Sequence, residues 1–229
     1  MLRIEAVIAA AGLGLRMNSN TRKQFMLLDG VPVIARSVIL FQGYPGLGKI
    51  VLVVKAGEQD QVLSLIKPYC CLDNLVLAVG GKSRQESVFL GLQHLSAESD
   101  LICIHDAARP LATKVLLESL IAAAVKYGAA VPATSLHDTV KEVSAEQMVV
   151  STPSRDKLRL VQTPQVFKAD LIRRAYQEAA VSKMEATDDA SLVERLGGQV
   201  AVVEGERSNL KITTPADFVL AEWLLKEFN

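Results

Sequence analysis

Ala6 to Gln24 reads AVIAAAGLGLRMNSNTRKQ, and the change of character along it decides the fold. A short apolar run passes directly into small residues and glycines, and Arg16, Arg22 and Lys23 follow within eight positions. A loop with little side-chain bulk lets a ligand approach the backbone closely, and clustered cations beyond it suit a polyphosphate. The stretch predicts a strand followed by a nucleotide triphosphate site.

Downstream, apolar segments alternate with helical patterns, which predicts repeated β-α units and a largely parallel sheet. Ile4 to Ala9 reads as the first strand, and Pro32 opens a helix through Phe41, since a missing N–H costs nothing at a first helical position. Ile50 to Val54 is a second strand, apolar throughout as a strand covered on both faces should be. A helix over Gln59 to Ile66, a strand at Leu75 to Val79, a helix from Arg84 to about Leu95 and a strand at Leu101 to Ile104 continue the series. A helix from Lys114 to Lys126 and a strand at Ala129 to Ala133 complete its regular part.

The pattern breaks between Leu136 and Leu158, which is polar and turn-rich. Thr139 to Val143 and Met148 to Ser151 form a candidate hairpin with too little apolar surface to stand alone, so 136–158 reads as an arm that packs on something else, such as a second subunit. Regularity returns with a strand at Arg159 to Gln162, helices at Ala169 to Ala180 and Asp188 to Leu196, and late strands at Gln199 to Glu204 and Leu210 to Thr213. Thr214-Pro215-Ala216-Asp217 then supplies an N-cap, a first-turn proline and an acid three residues on, a strong start for a last helix. With no internal repeat or low-complexity tract, residues 1–229 read as one domain with one arm.

Composition narrows the function classes. Half of the 229 residues are hydrophobic, enough for a sizeable core, and 25 basic side chains balance 25 acidic ones, so no global field favours nucleic acid. Cys70, Cys71 and Cys103 are odd in number and not in C-x-x-C spacing, which predicts reduced thiols in a cytoplasmic protein rather than a disulfide framework or a zinc site. Glu5 interrupts the basic start of an otherwise leader-like N-terminus, and the apolar run there falls short of the roughly 18 residues of a membrane span.

Two phosphate fingerprints fail at identifiable positions. Gly12-x-Gly14 is followed by Met17 where a dinucleotide turn wants its third glycine, and the second strand ends at Val54-Lys55 without an acid for a ribose. Gly43 to Lys49 nearly spells a P-loop, but Ile50 replaces the hydroxyl residue and the segment enters a strand. Gly80-Gly81-Lys82-Ser83 follows a strand and opens a helix, so its backbone N–H groups could face an anion or the edge of a base. Ligands collect at the carboxyl ends of strands in open parallel sheets, and the first, third and fourth strands all end in polar, charged or glycine-rich turns.

Six stretches carry a resemblance: AAGLGLRM with KQF (10–25), HDAARP (105–110), DTVK (138–141), QTPQVF (162–167), TDDASLVE (187–194) and NLKITTPAD (209–217). In this order, over nearly the whole chain, the sequence resembles the 2-C-methyl-D-erythritol 4-phosphate cytidylyltransferases of the non-mevalonate isoprenoid pathway. One departure is local: Arg22 stands where such families usually place proline before the Lys-Gln pair. The resemblance implies a Rossmann-like nucleotidyltransferase fold with a mostly parallel central sheet flanked by helices, and a homodimer whose β-arms reach into the neighbouring site.

It also implies chemistry and roles. CTP and 2-C-methyl-D-erythritol 4-phosphate would be joined with release of pyrophosphate. A phosphate monoester with a second pKa near 6 is mostly deprotonated at neutral pH, so no base is required and the task falls to Mg²⁺ and positioned cations. Arg16 and Lys23 would grip the triphosphate, Lys211 would neutralise the α-phosphate, and Asp106 would lie by the Mg²⁺. Ala10, Ala11, Gly12, Gly14, Gly81 and Ser87 would surround the CTP. Arg109, Thr163 and Thr187 would hold the acceptor, with Thr139 and Arg155 from the partner's arm. Arg84 reads as a brace for the Gly80-Gly81 turn and His105 as structural. A ribitol-5-phosphate cytidylyltransferase and a non-catalytic nucleotide-binding regulator are the alternatives.

Overall fold

Residues 2–12 and 22–228 are described in a computed structural model of the chain. In chain order the elements are β1 (Ile4–Ala9), β2 (Leu27–Leu28), β3 (Val31–Pro32), α1 (Val33–Ile39), β4 (Leu47–Val54), α2 (Gln59–Ile66), β5 (Leu75–Val79), α3 (Arg84–Leu92), β6 (Leu101–Asp106), α4 (Lys114–Tyr127) and β7 (Ala129–Ser135). Then come β8 (Glu142–Val143), β9 (Val149–Ser151), β10 (Arg159–Val161), β11 (Gln165–Lys168), α5 (Ala169–Ser182), α6 (Asp189–Arg195), β12 (Ala201–Glu204) and α7 (Pro215–Phe228).

The sheet is mixed but mostly parallel. β5, β4, β1 and β6 run parallel, with β1 between β4 and β6. β11 is inserted antiparallel between β6 and β7. Ala130 pairs with Val166 on one side and Ala201 on the other, which puts β12 on the far edge of β7, while β10 continues the edge begun by β11. The chain leaves β1 in both lateral directions, toward β4 and, later, toward β6, so the crevice at their carboxyl ends is the ligand position expected of such a sheet.

The central strands β1, β4 and β6 are largely apolar and buried because helices cover both faces. Ala6, Ile8, Ile50, Leu52 and Val54 pack on the side of α1, α2 and α4. Val7, Val51, Val53, Ile102 and Ile104 pack on the side of α3, α5 and α6. A smaller cluster of Leu28, Val33, Ile212, Phe218 and Ala221 docks α7 beside the 210–213 segment. The capping of α7 is as its sequence predicts: Asp217 Oδ2 accepts from the Thr214 N–H at 2.7 Å, and the Asp217 N–H donates to Thr214 Oγ1 at 3.4 Å.

Three sequence expectations need correction. Pro32 ends β3 and precedes the first helical residue, and α1 stops at Ile39 rather than Phe41. β11 is a strand where none is expected, since four residues after a proline are too few to show alternation. Leu210 to Thr213 belongs to no strand; Ile212 N–H donates to Ala108 O at 2.8 Å, anchoring it to the turn after β6 instead. The arm does form a hairpin, shorter than expected, in which β8 and β9 pair antiparallel.

Candidate active site

At the end of β1, Ala10 N–H continues the ladder to Val53 O at 2.8 Å, and the chain then leaves the sheet through Ala11 and Gly12. The carbonyls there are held from behind. Gln24 Nε2 donates to Ala10 O at 2.8 Å, and Arg22 donates to Ala11 O at 3.2 Å and Gly12 O at 3.1 Å while pairing with Glu58. Arg22 has φ −63°, the value proline imposes, so the departure from the family pattern leaves the backbone path intact and adds a brace. Gly14 and Arg16 lie outside the described residues.

Beside this turn, Gly80 abuts Ala11. A Cβ at Gly80 would sit 2.5 Å from the Ala11 Cβ and 2.8 Å from Ser87 Oγ, so only glycine lets the two turns touch. Ser87 Oγ accepts from the Gly81 N–H at 3.1 Å and donates to Ser83 O at 2.8 Å, and Ser83 in turn caps α3 by accepting from the Glu86 N–H. The Gly81 turn is therefore built by the start of α3.

Asp106 closes β6 and is the hub. Arg84 Nε donates to its Oδ1 at 2.7 Å and Lys211 Nζ to its Oδ2 at 2.6 Å. Burial opposes ionisation, but Arg84 and Lys211 outweigh it and hold the carboxyl well below the usual range. Lys23 Nζ donates to Ile212 O at 2.7 Å, which ties it to the segment that carries Lys211 although the two are far apart in sequence.

Thr163, His105, Asn209 and Arg109 form a hydrogen-bonded group that meets the backbone of Asp106. Its N–H donates to Thr163 Oγ1 at 3.0 Å, and His105 Nδ1 lies 3.1 Å from the same hydroxyl. Asn209 Nδ2 donates to Thr163 O at 3.0 Å, while Arg109 donates through one terminal nitrogen to Asn209 O at 2.7 Å and keeps a buried Nε without a hydrogen-bond partner. Thr187 is exposed just before Asp188, the N-cap of α6. Thr139 and Arg155 sit exposed at the arm, and among the described residues no hydrogen bond or ion pair joins either to the Asp106 cluster.

Sequence reasoning assigned no role to Gln24, Tyr176 or Asp189 and underrated Arg84. Arg84 does more than brace a glycine turn, for its two terminal nitrogens reach Asp189 at 3.0 and 2.8 Å. The Asp pair in TDDASLVE was the available sign, since only one of the two acids is needed as a helix cap.

A centre of lysines, one ionised carboxylate and backbone groups, set at the sheet's carboxyl ends, acts on phosphate by charge and position. A nucleotidyltransferase requires such a centre. The family model of 2-C-methyl-D-erythritol 4-phosphate cytidylyltransferase matches residues 4–227. Proteins of that name from Desulforamulus reducens and Geobacillus thermodenitrificans are 42% and 44% identical, over 100% and 98% of this chain and 98% and 97% of theirs. The solved 4-diphosphocytidyl-2C-methyl-D-erythritol synthase of Anaerococcus prevotii superposes with a TM-score of 0.85 at 33% identity, covering 98% of this chain and 99% of that one. The cytidylyltransferase of Thermus thermophilus does so with a TM-score of 0.79 at 33% identity, covering 96% and 98%. The chain belongs to the 2-C-methyl-D-erythritol 4-phosphate cytidylyltransferase family.

Proposed function

We propose that the protein transfers the cytidylyl group of CTP to 2-C-methyl-D-erythritol 4-phosphate, giving 4-diphosphocytidyl-2-C-methyl-D-erythritol and pyrophosphate for isoprenoid synthesis. The observation that carries this reading is the pairing of Lys211 with Asp106, with Lys23 anchored on the carbonyl of Ile212, the residue that follows Lys211. The acceptor phosphate oxygen attacks the α-phosphorus, the bond to the bridging α,β-oxygen breaks, and its electrons leave with pyrophosphate. The attacking phosphate is already mostly deprotonated at neutral pH, so no side chain needs to take a proton.

Each residue has a task in that step. Arg16 and Lys23 hold the β- and γ-phosphates, with Gly12 and Gly14 admitting them close to the backbone. Lys211 neutralises charge growing on the α-phosphate. Ala10, Ala11, Gly81 and Ser87 present backbone and hydroxyl partners to the cytosine edge, which needs both donors and acceptors. Arg109, Thr163 and Thr187 hold the acceptor, and the unpaired Nε of Arg109 leaves its guanidinium a donor to spare for the phosphate.

Mg²⁺ fits the donor set. Among the described residues no group of three His, Cys, Asp or Glu side chains could cage a metal. Mg²⁺, however, is commonly held by one or two carboxylates with substrate phosphates and water, and Asp106 is a carboxylate kept ionised whose oxygens have lone pairs beyond the two they use. Bound there, Mg²⁺ supplies charge neutralisation and fixes the phosphates.

A homodimer completes the site. Met148, Val149 and Val150 on the hairpin are exposed, and Thr139 and Arg155 have no role within their own chain's cluster, which supports an arm that reaches a neighbour. The three unpaired thiols support a cytoplasmic setting.

Pyrophosphate release by purified protein tests the reading, with Mg²⁺, each nucleoside triphosphate in turn, and either methylerythritol phosphate or ribitol 5-phosphate. Turnover is expected only with CTP and methylerythritol phosphate, reduced by about 10²- to 10³-fold in Lys211→Ala. Absence of Mg²⁺-dependent turnover with that pair refutes it, and preference for ribitol 5-phosphate replaces it.

A further inference from the structure

Asp189, at the start of α6, has no solvent exposure, yet it takes no part in the chemistry just described. Its carboxylate receives both terminal nitrogens of Arg84, at 3.0 and 2.8 Å, and the hydroxyl of Tyr176 from α5. The remaining nitrogen of that guanidinium, Nε, holds Asp106 Oδ1 at 2.7 Å, and Lys211 holds the other oxygen. Asp189, Arg84, Asp106 and Lys211 thus form a line of alternating charges running from a sealed interior to the reacting centre.

Stability alone is a poor reason for such a line, because desolvating a charge pair costs about as much as the pair returns. Its surroundings suggest another. The segment from Met184 to Ala190, which carries Thr187, is tied to the first turn of α3 by Gln85, whose side chain donates to Met184 O at 2.8 Å and accepts from the Ala186 N–H at 2.9 Å. Gln165 of β11 ties it to the sheet, donating to Asp188 Oδ2 at 3.0 Å and accepting from the Ala190 N–H at 3.1 Å. The same turn of α3 builds the Gly81 turn on the nucleotide side. Arg84 therefore stands where the nucleotide side, the acceptor side and Asp106 join.

We propose that Arg84 and Asp189 are positioning residues for the transfer step: Asp189 locks the Arg84 fork, and the fork sets the orientation of the Asp106 carboxylate that Lys211 shares. This rests on the cytidylyltransferase reading of the site. What is required is the planar fork, whose nitrogens serve two carboxylates at once, and not merely a positive charge.

Kinetics of Arg84→Lys, Asp189→Asn and the double variant, run beside the unaltered protein and with melting curves for each, test this. Each single variant is expected to lower kcat by about 10- to 100-fold, as small misplacements at a reacting centre do, with KM for CTP changed less than about 3-fold. The double variant is expected to be no worse than the poorer single within about 2-fold, because the second change acts through a link already broken. Lysine that restores full kcat, losses confined to the melting temperature or to KM, or losses that multiply would each overturn the inference. Should either single variant fail to fold, Tyr176→Phe removes only the hydroxyl on Asp189. It is then expected to lower kcat by about 3- to 10-fold, and unchanged kcat overturns the inference there too. An unaltered protein without turnover sinks the functional reading and this one together, whereas turnover without coupling sinks this one alone.

Discussion

His105 has no solvent exposure, and both of its ring nitrogens are engaged. The carbonyl of Arg109, 3.1 Å from Nε2, can only accept, so the proton sits on Nε2 and Nδ1 accepts the Thr163 hydroxyl, which itself receives the Asp106 N–H. This relay fixes the turn that presents Asp106, and it works with a neutral imidazole; burial pushes the pKa down to about 4. Between the ordinary value near 6.5 and about 4, the unfolded chain binds a proton that the native one refuses. The contribution of His105 is thus complete above about pH 6.5 and falls away as pH drops, by about 3 kcal/mol in all. Urea midpoints from pH 7 to 4 should show that loss, and His105→Asn, though less stable throughout, should show a shallower slope. Arg22 makes the complementary point: its cation was legible, but its partner Glu58 and the two carbonyls it holds were not, because they belong to other elements.

The elements that sequence located most closely are those with local causes. β1, α2 and β5 lie where an apolar run, or a helical pattern that stops before Pro68, places them. β11 and the 210–213 segment escaped, one because it is too short to alternate and the other because its apolar residues serve a packing cluster with α7 rather than a ladder. The meeting of the turns after β1 and β5 depends on Gly80, where nothing larger than hydrogen clears Ala11 and Ser87. Gly80→Ala should force those turns apart, costing about 1–3 kcal/mol by overpacking. If the nucleotide lies between them, KM for CTP should rise by more than about 10-fold, and an unchanged KM would place the nucleotide elsewhere.

For the molecule as a whole, the arm is a part whose apolar side chains lack cover within the chain: Val149 is 59% and Val150 63% exposed. If it completes a neighbour's site, mixing inactive Lys23→Ala and Arg155→Ala chains should regenerate activity, since one site of each mixed dimer then holds both intact residues. With free exchange about half the dimers are mixed and carry one such site, so about a quarter of normal activity is the ceiling. Exchange shown by size and mass measurement without any recovery would leave each chain to act alone. The sheet contributes at the same scale, since β1 lies where the strand order turns both ways and thereby opens the crevice that Asp106 overlooks.

Sequence by itself determined the alternation of strands and helices, the failure of the dinucleotide and P-loop templates, and the family, whose resemblance pointed to Lys23, Asp106 and Lys211 as candidates. The first two follow from spacing and side-chain chemistry read over short windows, and the family and its candidate residues from the resemblance of six motifs in order. Only the tertiary structure decided that Arg84 and Asp189, 105 positions apart, are bound to each other, and that Asp106 lies between Arg84 and Lys211. Local periodicity carries no information about which turns a parallel sheet will gather at one end, and the low-dielectric crevice formed there is what makes those distant charges answer to one another.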